Sequence, residues 1–400
     1  MWRRARDGPA ERAEREACRR SVTRARRKAA LGCLLPLLLW ALLLAISPPT
    51  RLALRTVALL PSFFAALPGS PLDLATAKPA HEVVDLQPVA GYVRAHVYRP
   101  PHGRHPALVL SLGLDPAPPD DVRVVRLLDG LARSGLVAVL IESEALNGDR
   151  LAPELPRALV EGVQFAATQP YTRPDRVGLF GFSVGGSLAI VAAADPAIRD
   201  RLRSVDAFGS FDTLQDALLS IGTHTLDDRG SVRPWTPNAI ASEHLTNVLL
   251  NGLSDQTEAA ALRRYFVEGD AHALDGVALS AEGQAIVGLL TSHDRASGQR
   301  YVPALPAALQ ANLVALSPLP RIAEVRARLF IMYDRGDPLL PFTGSRELCA
   351  AARAAGLKPY CSAFSIFQHV DPKRVGNPFT LAHDLTELYL HAFAVLRSLQ

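Results

Sequence analysis

The stretch "RVGLFGFSVGGSLAIVAA", residues 176 to 193, constrains this chain more than any other. An apolar run of strand character stops at Gly-Phe-Ser-Val-Gly-Gly, and an alanine-rich helical run follows at once. A tight turn needs one glycine at most, so three need a physical reason. In a Gly-x-Ser-x-Gly turn between a parallel strand and its helix, the serine is forced into a strained backbone, and the residues two before and two after it come too close for a Cβ. That accounts for Gly181 and Gly185. Ser183 Oγ then stands clear at the carboxyl end of a sheet, and the Val184 N–H points to where an oxyanion would develop. Gly186 adds close packing of helix on sheet. The bland alternative is a tight turn holding an ordinary serine. The buried strand before it and the small-residue helix after it weigh against that alternative.

The rest of the chain supplies a matching frame. "HEVVDLQPVAGYVRAHVYRP", from about residue 81, alternates and contains a glycine, as a strand pair does. "PALVLSLG", "LVAVLIES", "RVGLFGF", "SVDAFGSF", "ARLFIMYD" and "KPYCSAFSIF" are apolar runs of the kind buried on both faces of a sheet. "DVRVVRLLDGLARSG", "APELPRALVEGVQFAATQ", "SRELCAAARAAG" and "PFTLAHDLTELYLHAFAVLRSLQ" carry helical spacing. Strands alternating with helices predict a doubly wound, mostly parallel α/β sheet over 81–400. Between about 212 and 320 the alternation stops and short helices follow one another. So long a stretch is no single loop, and it predicts an inserted helical subdomain.

A serine hydroxyl is a poor nucleophile without a base and an acid that orients the base. Downstream, "LFIMYDRGDPLLP" places Asp337 in a loop just past a strand, and "AFSIFQHVDP" places His369 directly after the last strand. Asp334 ends its strand and is expected to cap the turn; Asp206 and Asp212, near the sixth strand, compete more weakly. His383 and His391 fall on the terminal helix, and His224, His244, His272 and His293 fall in the insertion. His369 alone follows a sheet strand after the acid.

With "GFSVGG", "YDRGDPLLP" and "FQHVDP" in this order, residues from about 81 to 400 resemble the α/β-hydrolase family, in its members with a helical cap. The resemblance implies a Ser183–His369–Asp337 triad, hydrolysis of an acyl bond and no cofactor. It makes "LSLGLD" the first oxyanion loop, with the N–H of Leu114 as second donor beside that of Val184. Many relatives carry His-Gly there, whereas this chain has Leu112-Gly113. The family hydrolyses esters, lactones, amides or peptides, and a carboxylic ester of a small-molecule or lipid-like acid is the substrate expected here. An acyltransferase or peptidase with the same triad is one alternative, and a non-catalytic, hydrolase-like binding domain is another. The apolar helices of the insertion (Leu249, Leu250, Leu253, Tyr265, Phe266, Leu289, Leu290) are expected to pack on one another, and no binding residue is assigned there.

The net charge of +4 is local: residues 1–28 carry +7 and the remainder −3. Nothing in the folded part calls for nucleic acid. The tail leads into "AALGCLLPLLLWALLLAISPPT" (29–50), 22 uncharged residues, enough to cross a bilayer as a helix. A cleaved signal is the competing expectation, but its apolar core would be shorter and Pro48 would follow the cut after Ser47. Residues 1–28 are therefore expected as a cytoplasmic tail, 29–50 as a transmembrane signal anchor, and 51–80 as a juxtamembrane segment. The hydrolase-like part is then expected on the non-cytoplasmic side of the cell membrane. Within 51–80, the apolar patch 56–67 is too short to span and is expected as an interfacial or core-docked helix. On that side of the membrane a Cys349–Cys361 disulfide is chemically permitted, and two free thiols are equally compatible with the spacing. No metal-ligand spacing is present, and no oligomeric state is implied.

Overall fold

The computed structural model describes residues 47–64, 69–87, 91–373 and 376–400. The chain divides into two compact units, Met1–Arg55 and Thr56–Gln400. Residues 29–46 of the expected membrane span lie outside the described residues. Among the described residues no single helix is long and apolar enough to cross a membrane.

The strands are, in chain order, β1 (Ala80–Asp85), β2 (Val93–Arg99), β3 (His105–Ser111), β4 (Val137–Ser143), β5 (Thr172–Phe182), β6 (Leu202–Phe208), β7 (Thr225–Asp228), β8 (Ser231–Pro234), β9 (Arg328–Asp334), β10 (Tyr360–Phe364), β11 (Phe367–Gln368) and β12 (Asp371–Pro372). Eight of them form one sheet in the order β1-β2-β4-β3-β5-β6-β9-β10. Only β2 runs against its neighbours β1 and β4; all other pairs are parallel. Edge strand β1 is exposed or half-buried along its whole length, whereas β3, β4 and β6 are buried over most of theirs, which explains their apolar runs. This order, with a sharp strand-to-helix turn after β5, is an α/β-hydrolase fold.

Helices cover both faces. Leu155–Thr168 and Val184–Ala193 pack on one side, where Gly162 lets the first approach Ile141 and Val109. Val122–Arg133 and the terminal helix Pro378–Leu399 cover the other. All ten residues of Val184–Ala193 are buried, so its missing polar face reflects a helix clamped between sheet and neighbours.

The apolar patch 56–67 is not one helix. The helix Pro48–Leu59 begins before the patch, and Pro61 turns the chain into a 3-10 turn at Leu60–Phe63. That turn docks on Val122–Arg133 at Gly130, where a Cβ would stand 2.2 Å from Ser62 Oγ.

Between β6 and β9 the chain forms the helices Leu214–Thr223, Ala239–Leu250, Gln256–Phe266, Ala281–Leu290 and Ala307–Ala315, with shorter turns between them. It also holds the β7–β8 hairpin, which helical spacing alone did not foretell. Leu249, Leu250, Leu253 and Leu289 are buried within the apolar core, whereas Tyr265 is exposed. Cys349, on the helix Phe342–Ala354, is joined to Cys361 on β10 by a disulfide with Cα atoms 6.5 Å apart.

Candidate active site

Ser183 stands between β5 and the helix Val184–Ala193 with φ 57° and ψ −131°. That conformation is costly for a residue with a side chain and persists only where its surroundings impose it. The Ser183 N–H donates to Phe208 O at 2.7 Å, and its carbonyl accepts from the Gly186 N–H at 2.9 Å. Each glycine has its own reason. A Cβ on Gly181 would lie 2.1 Å from Gly185 O, one on Gly185 2.6 Å from Ser111 O, and one on Gly186 2.2 Å from Ser210 Oγ. Val184 opens its helix, so its N–H has no acceptor within that helix.

The loop after β3 arches over this turn. Gly113, at φ 109°, would carry a Cβ 3.1 Å from Ser183 Cβ and 3.5 Å from Val184 N. Only glycine allows both the positive φ and that approach. Leu114 follows directly and borders an apolar pocket shared with Ser183 and Val184. Leu112-Gly113 thus keeps the close approach without a histidine, because the glycine makes it.

Asp337 and His369 meet. His369 sits at the tip of the β11–β12 hairpin with φ 63°, and its Nδ1 lies 2.7 Å from Asp337 Oδ2. The other carboxylate oxygen of Asp337 accepts the N–H groups of Leu339 and Leu340 at 2.8 and 3.0 Å. Both residues are buried. His369 Nε2 is buried and has no hydrogen-bond partner among the described residues. Gly209, just past β6 with φ 67°, flanks this pair: a Cβ there would lie 3.1 Å from His369 Cε1.

The competing acids are engaged elsewhere. Asp334 accepts the Gly336 N–H at 2.7 Å and the Phe367 N–H at 2.9 Å, so it caps its turn and also tethers the strand leading to His369. Burial pushes its carboxyl above the usual range, against those N–H groups and Lys373. Asp206 lies 3.1 Å from His391 Nε2, and His391 Nδ1 lies 3.0 Å from Ser362 Oγ, deep in the core. Burial, with Asp216 beside it, pushes Asp212 up to about 6. His383 lies beside Asp384 and is largely exposed.

Sequence reasoning missed one histidine. His244, on Ala239–Leu250, borders the same cavity as Ser183 and His369. Its Nδ1 lies 2.9 Å from Asp149 Oδ1 and 3.0 Å from Oδ2. The hydrogen bond to Asp149 holds the imidazole proton above its ordinary range; burial opposes this, and Asp149, Asp115 and Glu243 add to it by charge. Asn247 Nδ2 donates to Asp149 Oδ2 at 3.1 Å. Asp149, at φ 50°, is on the loop after β4. No local pattern pairs it with a residue almost a hundred positions on.

The cavity bordered by Ser183, His369, His244, Asp115, Asp149 and Arg123 measures about 760 Å³. A second, apolar pocket of about 60 Å³ also reaches Ser183 and is walled by Phe211, Leu214, Leu218, Ile221, Leu245 and Val248. Residues of the insertion therefore line the site, where the sequence alone assigned none. Among the described residues no three His, Cys, Asp or Glu side chains converge as a metal-binding group.

No family model and no curated protein matches the sequence. Solved structures do resemble it. Pyrococcus horikoshii acylaminoacyl peptidase is 11% identical with a TM-score of 0.45, the likeness covering 82% of this chain and 42% of that one. A puromycin-hydrolyzing peptidase of Mycobacterium tuberculosis is 14% identical, TM-score 0.47, covering 80% of this chain and 39% of that one. A bacterial brefeldin A esterase, described as a homologue of human hormone sensitive lipase, is 14% identical, TM-score 0.46, covering 88% of each. The chain thus spans less than half of either peptidase. Likenesses of this degree carry no information about substrate.

Proposed function

We propose that this protein is a serine hydrolase that cleaves a carboxylic ester through an acyl-enzyme. Ser183 Oγ attacks the carbonyl, His369 takes its proton through Nε2, and Asp337 holds the imidazole by Nδ1 and stabilises its cation. The N–H groups of Val184 and Leu114 receive the oxyanion; each such donor is worth about 3 kcal/mol in acyl transfer. His369 then protonates the leaving group, and water repeats the sequence on the acyl-enzyme. The observation carrying this reading is a strained serine sharing one cavity with a histidine whose Nδ1 is bound by a buried carboxylate and whose Nε2 is unpartnered. A fluorophosphonate probe tests it. Labelling of the wild type that disappears in Ser183→Ala supports the reading, and absence of labelling in folded protein overturns it in favour of a binding domain. A product analysis with an added alcohol separates hydrolysis from acyl transfer, and an amide series separates esterase from peptidase.

The reading includes a membrane anchor at residues 29–50, an Arg-rich cytoplasmic tail and a hydrolase domain on the far side. The Cys349–Cys361 disulfide supports that side, since cytosolic thiols are kept reduced. A reporter fused after Gln400 is expected to be active only outside the cytoplasm, and cytoplasmic activity overturns the orientation.

A further inference from the structure

Three cavities are linked through shared lining residues at and beside the site. The open one, about 760 Å³, touches both Ser183 and His369. The apolar one, about 60 Å³, touches Ser183, Val184 and Leu114 but not His369. A third, about 290 Å³, touches neither Ser183 nor His369 and is bordered by Arg150, Ala152, Asn251, Leu309 and Asn312. Leu151 and Val248 border the second and the third together. No residue borders the first and the third.

We propose that the substrate's acyl chain occupies the apolar pocket, that it is short, and that Leu151 and Val248 form the wall that ends it. This rests on the hydrolase reading above. His369 must hand its proton to the leaving group, so the leaving group lies in the cavity His369 borders. The acyl part is left with the other space that reaches Ser183. A water-sized group takes roughly 10–15 Å³ of such a volume, so about 60 Å³ holds an acyl chain of about four to six carbons.

The wall is held from both sides. Asn312 Nδ2 donates to Leu151 O at 2.9 Å. Val248 is on Ala239–Leu250, which is fastened to the loop before Leu151 at its end: Asn251 Nδ2 donates to Gly148 O at 3.0 Å and to Asp149 O at 3.1 Å. The Asp149 contacts with His244 and Asn247 add to the same seam. A longer chain meets two side chains whose backbone segments are pinned by polar bonds, although a further cavity borders the same two residues.

The test is kcat/KM for p-nitrophenyl esters of straight acids from two to twelve carbons, normalised to fluorophosphonate-titrated sites. In the wild type the value is expected to rise roughly fourfold per methylene up to four to six carbons and to fall beyond. Val248→Ala and Leu151→Ala join the pocket to the cavity behind, and each should move the optimum at least two carbons longer. Val248→Phe should move it shorter. Leu151 is only partly buried, so its variant serves where a Val248 change prevents folding. A wild-type profile without a maximum, or truncation variants that keep the wild-type optimum, overturns this inference alone. Absence of hydrolysis across the whole series, with no labelling of Ser183, overturns the hydrolase reading with it.

Discussion

His369 Nδ1 lies 2.7 Å from Asp337 Oδ2, while the other oxygen of the same carboxylate is held by the N–H groups of Leu339 and Leu340. The carboxylate is thus anchored on one side and orients a ring on the other. In the proposed mechanism the three side chains act as a unit, so their losses should not add. Ser183→Ala and His369→Ala should each lower kcat by roughly a millionfold, with the double variant scarcely worse, and Asp337→Asn should cost roughly 10⁴-fold. Steady-state kinetics on an activated ester measures this. Full turnover in His369→Ala removes the triad.

Asp334 separates structural from catalytic carboxylates. It is buried, bonds Gly336 and Phe367, and does not touch His369 in any hydrogen bond. Asp334→Asn keeps one acceptor and loses the other, so an unfolding curve should show about 1–3 kcal/mol of lost stability. The kcat per titrated site should stay within a few-fold of wild type. A kcat as low as that of Asp337→Asn would mean that the acid has been misassigned.

His244 supplies a pH test. Its folded pKa is raised above 6.5, chiefly by Asp149. A raised histidine stabilises the fold fully below the unfolded pKa, and that contribution is lost as pH rises through the folded value. Against His244→Gln, the wild type should therefore gain more unfolding free energy at pH 6 than at pH 9. A difference independent of pH would show that the pair contributes nothing through charge. The same variant should keep kcat within about tenfold, because the proposed base is His369; a loss equal to that of His369→Ala would reassign the base.

The disulfide should stabilise by restricting the unfolded chain. For cysteines 12 residues apart the loop-closure model gives about 3 kcal/mol. Denaturation of Cys349→Ser/Cys361→Ser against wild type should show that loss, and reductant should reproduce it in the wild type only. Equal stability with and without reductant would mean that the bond is absent in solution or compensated.

What could be taken from sequence alone is what neighbours in the chain decide. The turn at Gly181–Phe182–Ser183–Val184–Gly185 is such a case, because its strain and its missing Cβ atoms are settled within a few residues. The buried strands β3, β4, β5, β6 and β9 are others, since burial on both faces writes itself as a continuous apolar run. The order Ser183, Asp337, His369 could be proposed because the first two follow strands of the main sheet and the third falls between the last of those strands and the terminal helix, although the structure sets it in a small hairpin of its own. Contacts between distant segments left no such mark. His244 meets Asp149 only because the insertion folds back over the loop after β4, and Gly209 matters only because His369 arrives beside it from a hairpin at the far end of the chain. The apolar wall near Ser183 is of the same kind. Leu214 and Leu218 on one helix, and Leu245 and Val248 on another, have the spacing of any amphipathic helix, and periodicity states which face is buried but not whether it meets a core or a cavity. That choice is made when separate elements pack, by the space they leave between them.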